Sequence, residues 1–337
     1  KYLDSHYSGS KNIRQKIEEW FKLGTPESMA MVMGAISGTS VLFQSGNTNY
    51  CQYGGFYNSP TLSLSALKTS RENVANYVPG EVFYHEIGHA IDSIYGTSYT
   101  DQFGKNKRTA SSSVSLSSGK TLNQTIIDNM SSDSKGMGER FKKASDEVEK
   151  IKQSLYAKHP EYKEQKDKIE INKEQQMEAR KQFDERKSAV SARFLAGSMT
   201  YDEYRAEWEK IGDEETKDPE LSRLQKERMD LTFNSPVYKI EQETANAINQ
   251  EFGDVSDMFE ASYGVRLTAM GHGSRYFGSR EHPERRGDEF FAEYMSAKAT
   301  NPASLKRIRE YFPKQAAAAE ELYQKIRRGE IKKWNQN

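Results

Sequence analysis

The amino-acid sequence predicts an α+β fold: a small sheet leading into a short amphipathic helix, a second apolar helix far downstream, and a long helical insertion with coiled-coil-like arms between them. Three observations carry this expectation. Between Val41 and Ala66, short runs of alternating apolar and polar residues are separated by Gly, Asn, Ser and Pro clusters, the period-two pattern of strands. From Val82 to Ile94, and again around Phe290, Phe291 and Met295, apolar residues recur at helical spacing. From about 105 to 235 the chain is strongly charged, and its first apolar residues come three and four apart, the seam of one long helix packing on another. The expected organisation is one domain in two parts, 1–104 and 236–337, interrupted by the insertion at 105–235.

The elements follow in order. An amphipathic helix comes first, with Ile13, Ile17, Trp20 and Phe21 on one face and Gly24 closing it. Thr25 can cap a second helix that has Pro26 in its first turn. Val41–Gln44, Tyr50–Tyr53 and Thr61–Ala66 read as strands, Leu62 and Leu64 alternating with Thr61, Ser63 and Ser65. An edge of such a sheet can hold an extended peptide through main-chain hydrogen bonds, or can be an ordinary edge. Pro79 and Gly80 punctuate the start of the next helix, and Gly96 marks its end. Ser111–Ser118 reads as a serine-rich loop. Beyond it Phe141, Ala144, Val148, Ile151 and Leu155 form the seam, broken at His159 and Pro160 before a charged helix to about Leu195. Thr200 with Glu203 makes a capping box for a third helix of the insertion, and Asp218 with Pro219 starts a fourth. Charge runs such as Glu164–Glu174 read as solvated helix faces.

Composition narrows the function classes. Of 337 residues, 49 are acidic and 49 basic, so no global field favours nucleic acid or an anionic membrane. Cys51 is the only cysteine, which excludes an internal disulfide framework and any metal site built on several thiolates. The longest apolar run, Met29–Ile36, is too short to span a bilayer, and the first thirty residues have no signal-peptide layout, so the chain is expected to be soluble. A hydrophobic fraction of 35% and a mean hydropathy of −0.89 leave much of it outside any core, which suits extended helical arms.

The chemistry lies in VFYHEIGHAID, Val82 to Asp92. On a helix, His85 and His89 project from one face roughly 6 Å apart, so two imidazoles can reach one metal ion with Glu86 beside it. This is a zinc-hydrolase signature. With six histidines in the chain the bare pattern arises by chance in about one such sequence in a hundred. Its context adds to it: Val82, Phe83, Ile87, Ala90, Ile91 and Ile94 surround the polar stripe with apolar surface, which fits a packed helix better than two solvated histidines. Asp92, two turns from His85 on the same face, is placed to orient a ligand or to cap a neighbouring loop.

Two histidines leave a zinc site incomplete, and the third ligand decides its class. A histidine six residues after His89 is absent, since Tyr95 stands there, and Asp92 occupies the place of the turn glycine; the metzincin arrangement is excluded. Asp101, in GTSYTD, is one candidate, at the cost of a sharp chain reversal. The stronger candidate lies in RRGDEFFAEYMSAKATNP, where Glu289 and Glu293 stand one turn apart beside Phe290, Phe291 and Met295. Glu289 can ligate while Glu293 accepts a ring N–H of a ligating histidine.

HEIGHAID followed far downstream by DEFFAEYM resembles the gluzincin zinc metallopeptidases, in particular the catalytic domain of the anthrax lethal factor type. The segments DVSDMFEASYG, GHGSRYFG and LKRIREYFP also resemble zincin-like regions of tailed-phage minor head proteins. The resemblance covers about the first and last hundred residues. It implies a zincin-like domain with zinc as cofactor, His85, His89 and Glu289 as ligands, Glu86 as general base, Glu293 behind a ligand, and a peptide or protein as substrate. It also implies a donor for the tetrahedral oxyanion, for which Tyr276 is the first candidate and His272 and His282 are the others. The roughly 200 residues between His89 and Glu289 exceed the gap in the lethal factor type. Two other functions fit the same wording: a phage or mobile-element assembly protein retaining a zincin scaffold, whose partners would be head or other assembly proteins, and a toxin protease acting on a host protein. The corresponding location is cytoplasmic or virion-associated.

Overall fold

The computed structural model describes residues 2–37, 39, 41–46, 50–52, 61–65, 78–101, 104–269, 271–278 and 284–333. The chain is mostly helical with a small sheet, an α+β arrangement with long helices. It divides into two compact units, one of Lys1–Ile151 with Ala245–Asn337, the other of Lys152–Thr244.

In the first unit α1 (Tyr2–His6) runs into β1 (Tyr7–Ser8). The Ser10 hydroxyl accepts the Ile13 N–H and starts α2 (Lys11–Phe21), which buries Ile13, Ile17 and Trp20; the Thr25 hydroxyl accepts the Ser28 N–H and starts α3 (Pro26–Ile36). Strands β2 (Leu42–Gly46), β3 (Tyr50–Gln52) and β4 (Thr61–Ser65) join β1 in the order β1-β2-β4-β3. The first three are parallel and β3 is antiparallel to β4, with Leu62 opposite both Phe43 and Cys51. Tyr53 and Ala66, at the ends of expected strands, lie outside the described residues. Helix α4 (Glu81–Ile94) packs against β3 and β4.

Next come a hairpin of β5 (Thr97–Asp101) and β6 (Gly104–Arg108), then α5 (Ala110–Ser113), α6 (Leu122–Ser132) and α7 (Ser134–Tyr156). The hairpin is absent from the sequence reading because TSYTD and GKNKR have no apolar alternation to signal strands. The serine-rich segment, expected as a loop, opens with one turn of helix, and Thr121 with Gln124 forms a capping box for α6.

Helices α8 (Pro160–Leu195), α9 (Tyr201–Lys217) and α10 (Pro219–Phe233) follow, starting where the sequence signals place them: at Pro160, at the Thr200–Glu203 capping box, and at Asp218. In the second unit these helices share a small core of Phe183, Val190, Ile211 and Leu221, and the buried Asn172 and Gln176 amides both donate to the Leu224 carbonyl. This is a narrow seam, as expected for arms that bury little.

The chain continues through α11 (Pro236–Tyr263), α12 (Ser274–Phe277), α13 (Arg285–Thr300), α14 (Pro302–Tyr311) and α15 (Pro313–Arg327). The limits of the second unit, 152 and 244, lie inside the expected 105 and 235 at the first end and beyond them at the second. The cause is the Phe141 seam. Phe141 packs edge-on against Phe259 of α11 at 5.2 Å, and Ala144, Val148 and Ile151 join the large core of the first unit. That core gathers Phe83, Ile87 and Ile91 of α4, Phe290, Phe291 and Met295 of α13, and Phe252 and Phe259 of α11. Each such side chain taken from water contributes about 1.5–3 kcal/mol. No helix among the described residues is long and apolar enough to cross a membrane.

Candidate metal centre

Two helices meet to make the centre. A Cβ at Gly88 would lie 2.8 Å from the Ala292 Cα, so a glycine here lets α4 and α13 cross almost backbone to backbone. His85 and His89 flank Gly88 on one helix, and Glu289 and Glu293 flank Ala292 on the other. The point of closest approach therefore lies between the two pairs and brings their side chains together. Two hydrogen bonds hold the crossing, from the Ser296 hydroxyl to the Glu81 carbonyl at 2.7 Å and from the Asn301 amide to the Glu81 carboxylate at 2.8 Å.

The three expected ligands converge. His85 Nε2 and His89 Nε2 are 3.1 Å apart, and Glu289 Oε2 lies 3.5 Å from the first and 3.4 Å from the second. Ligands about 2.05 Å from a tetrahedral zinc are separated by about 3.3 Å along each edge, so these atoms already have the spacing of one face of such a site. Glu289 is 3% exposed, and its Oε2 is buried without a hydrogen bond among the described residues. Without metal, the charged His89 imidazolium 3.4 Å away is the cation that offsets its burial, a role a metal ion would take over. The donor set therefore fits zinc, for which two imidazoles and a carboxylate are a common combination. Behind the ligands, Glu293 Oε2 lies 3.4 Å from His85 Nδ1.

Burial and mutual charge set the protonation of this cluster. Burial, with His89 adding to it, pushes His85 down to about 3. Burial also works against charge on His89, but Glu289, then Glu86 and Asp288, override it and hold His89 up at about 10. Glu289 is depressed despite its burial, because the charge of His89, then of the other two histidines, favours its ionised form. Burial and then the Asp254 and Asp257 carboxylates push Glu293 well above the ordinary range, and burial raises Asp254 as well.

The remaining predicted residues fall into three groups. Glu86 is buried beside His89, close enough to raise that imidazole. Tyr276, in the short α12, donates its hydroxyl to Glu289 Oε1 at 2.5 Å, and His272 stacks on the Tyr276 ring at 4.5 Å and 22°. Asp92 takes the second of its two expected jobs: its carboxylate accepts the Ser111 N–H at 2.6 Å and the Ser111 hydroxyl at 2.7 Å, fastening the first turn of α5. The Ser111 hydroxyl also reaches Asp288 Oδ1 at 2.8 Å, so two buried carboxyls share one anchor; burial first, then their mutual charge, raises Asp92, and burial raises Asp288 to about 6. His282 lies outside the described residues. Asp101, the alternative ligand, belongs to β5, and its side chain is outside what is described.

Residues 264–269 and 271–278 hang on one face of α11. Ser256 Oγ accepts the N–H groups of Leu267 and Thr268, Asp257 accepts the His272 N–H, and Glu260 accepts the Gly273 N–H and pairs with Arg266. Arg285 lies over the Tyr276 ring, 4.4 Å from its centroid, while Arg286 donates to the Ala261 and Phe277 carbonyls. Asp254, Asp257 and Glu260 belong to no motif that marks them in the sequence. Their signal is a helix turn with no solvent face, since Val255, Met258 and Phe259 between them are buried too.

Comparison of the chain with protein-family models, with curated proteins and with solved structures finds no match in any of the three.

Proposed function

We propose that the chain is a zinc-dependent metallopeptidase of gluzincin type, with a zincin-like fold in its first unit and a peptide or protein as substrate. One observation carries this reading: the His85, His89 and Glu289 donor atoms, drawn from helices 200 residues apart in sequence, stand 3.1–3.5 Å from one another around a buried carboxylate oxygen. Such a set with Glu86 in the same helix turn is the minimum that metal-assisted hydrolysis needs.

His85, His89 and Glu289 hold the ion, and Glu293 steadies the His85 ring from its Nδ1 side. Zinc, when bound, supplies Lewis acidity toward the scissile carbonyl and brings the ionisation of water into the neutral range. The Glu86 carboxylate takes the proton of the attacking water and returns it to the leaving amine nitrogen, a general base and acid step that contributes about 10²–10⁴-fold. Tyr276 and His272 stand on the Glu289 side of the centre as candidate donors for the developing oxyanion; the Tyr276 hydroxyl has to leave Glu289 Oε1 to serve, whereas His272 Nε2, 3.8 Å from that oxygen, does not.

Glu86→Gln tests this directly, because it removes the base and keeps all three ligands. Zinc content and melting temperature should match the wild type, while cleavage of a peptide selected from a library falls by at least about a hundredfold. Equal rates for the two proteins would overturn the mechanism.

A further inference from the structure

We propose that the end of the helical arm in the second unit is a self-association surface, through which two copies of the chain pair end to end about a two-fold axis. What carries this is an aromatic strip, left exposed at a tightly closed helical turn and edged by charges of both signs.

Eight of the thirteen large apolar side chains exposed among the described residues lie within Lys152–Thr244, so the surface left to be covered is concentrated there. Three of them, Leu195, Tyr201 and Trp208, share the end where α8 turns back into α9; Leu195 is 83% exposed and Tyr201 63%. Tyr201, Tyr204 and Trp208 stand at i, i+3 and i+7, on one face of α9. Phe194 of α8 stacks on Tyr204 at 4.8 Å and 28°, and Tyr204 meets Trp208 at 5.6 Å. The strip is rooted, because Met199 and Tyr204 pack on the core of Phe183, Val190, Ile211 and Leu221. The turn is closed as well. Gly197 at φ +69° lets the Ser198 N–H reach the Arg193 carbonyl at 3.0 Å and end α8, and the Thr200 capping box starts α9. Leu195 is therefore exposed by a fixed backbone, and aromatic anchors held in place lose little freedom when a partner covers them.

The charges around the strip select its occupant. Arg193 pairs with Glu207 at 2.9 Å, Arg205 with Glu209 at 2.7 Å, and Glu203 is bonded to Thr200. Both signs therefore edge the apolar centre, and a two-fold axis can set each against its opposite, as a self-complementary contact requires. The outer flank of α8 lacks this property. Glu174, Glu178, Asp184 and Glu185 line it with Lys181 as the one cation among them, so a copy laid alongside would meet like charge. Contact at the end of the arm avoids that repulsion. Two such helical ends bury less than about 1,200 Å² together, which puts the association in the weak class.

Sedimentation of the full-length protein from about 5 to about 500 µM should show a monomer–dimer equilibrium. Leu195→Gln and Tyr201→Ser should each weaken it at least about tenfold, and both side chains are exposed enough for the fold to be kept. Phe233→Ser, at an exposed apolar residue outside the strip, should leave the dissociation constant within about twofold. A monomer at every concentration, or a loss in Phe233→Ser as large as in the strip variants, overturns the proposal. Orientation is read by dipolar spin-label spectroscopy in Cys51→Ser, which removes the only cysteine. Labels at Ser198→Cys should lie within about 35 Å of each other across the dimer, and labels at Glu174→Cys, about 36 Å back along each α8, beyond about 70 Å. A shorter separation at 174 than at 198 means side-by-side pairing and overturns the end-to-end contact. Phosphatidylcholine vesicles test a lipid surface as the occupant: co-sedimentation of a monomeric wild type that Leu195→Gln abolishes assigns the strip to lipid and overturns self-association.

Discussion

Glu289 works with both oxygens: Oε2 faces the Nε2 atoms of His85 and His89, and Oε1 accepts the Tyr276 hydroxyl. The charges around it lead to a proton count. Without metal, Glu289 is held ionised, His89 is held charged with a pKa of about 10, and His85, near 3, is neutral. A bound metal needs both imidazoles neutral, so binding must expel one proton. Calorimetric titration with zinc in buffers of different ionisation enthalpy should therefore report release of about one proton near pH 7.5. Between about pH 5 and 9, below the raised His89 value and above that of His85, affinity should climb about tenfold per pH unit. Affinity independent of pH across this window would show that His89 is not the proton carrier. At this scale the His85, His89, Glu289 and Glu293 pairs were legible because each is an i,i+4 relation on an apolar helix. Asp257 was not, because its partner is a residue 15 positions away whose approach depends on how a loop lies.

At the level of elements, the crossing of α4 and α13 governs the centre. Gly88→Ala puts a methyl 2.8 Å from the Ala292 Cα, a contact that one of the helices must retreat to accept. The expected cost is about 1–3 kcal/mol of stability, together with weaker zinc binding because the ligand pairs on either side separate. Chemical denaturation and zinc titration of the same preparation check both; a variant as stable and as tight-binding as the wild type would show that this contact does not set the ligand spacing. The anchoring of α5 offers a separate test. Asp92→Ala leaves the Ser111 N–H without its acceptor and should cost about 1–3 kcal/mol, while zinc affinity stays within about threefold, since Asp92 touches no ligand atom. Several helices were readable from their own ends, among them those with the Thr25 and Asp218 caps and the Thr200–Glu203 box. The β5–β6 hairpin was not, because its strands pair through backbone groups that leave no mark on side-chain pattern.

For the whole molecule, the second unit is expected to be dispensable for metal binding. The two ends of the first unit that flank it lie side by side: Arg307 reaches Glu147 of α7 at 2.7 Å and Glu251 of α11 at 2.6 Å. Replacing Lys152–Thr244 with a short Gly/Ser linker should therefore preserve folding and leave zinc stoichiometry at one per chain, with affinity changed by less than about threefold. A folded deletion protein that no longer binds zinc would show that residues of the second unit help build the centre. The limits at 152 and 244 were not readable, because Phe141, Val148 and Ile151 display the same three-four spacing whether their partner is a coiled-coil arm or a large core.

Features whose physics acts within a turn or two of chain are written in the residue pattern: the caps, the helical and strand periods, and the spacing that puts two histidines or two glutamates on one helix face. Tertiary structure alone decided which faces meet. Only the packed fold brings Glu289 across 200 residues to His85 and His89, turns the Asp257 carboxylate inward to His272, and assigns the Phe141 seam to the first unit. The reason is that burial rewards any apolar partner of suitable shape. A periodic pattern therefore specifies that a face is covered, while the neighbour that covers it is chosen by the packing of the whole core.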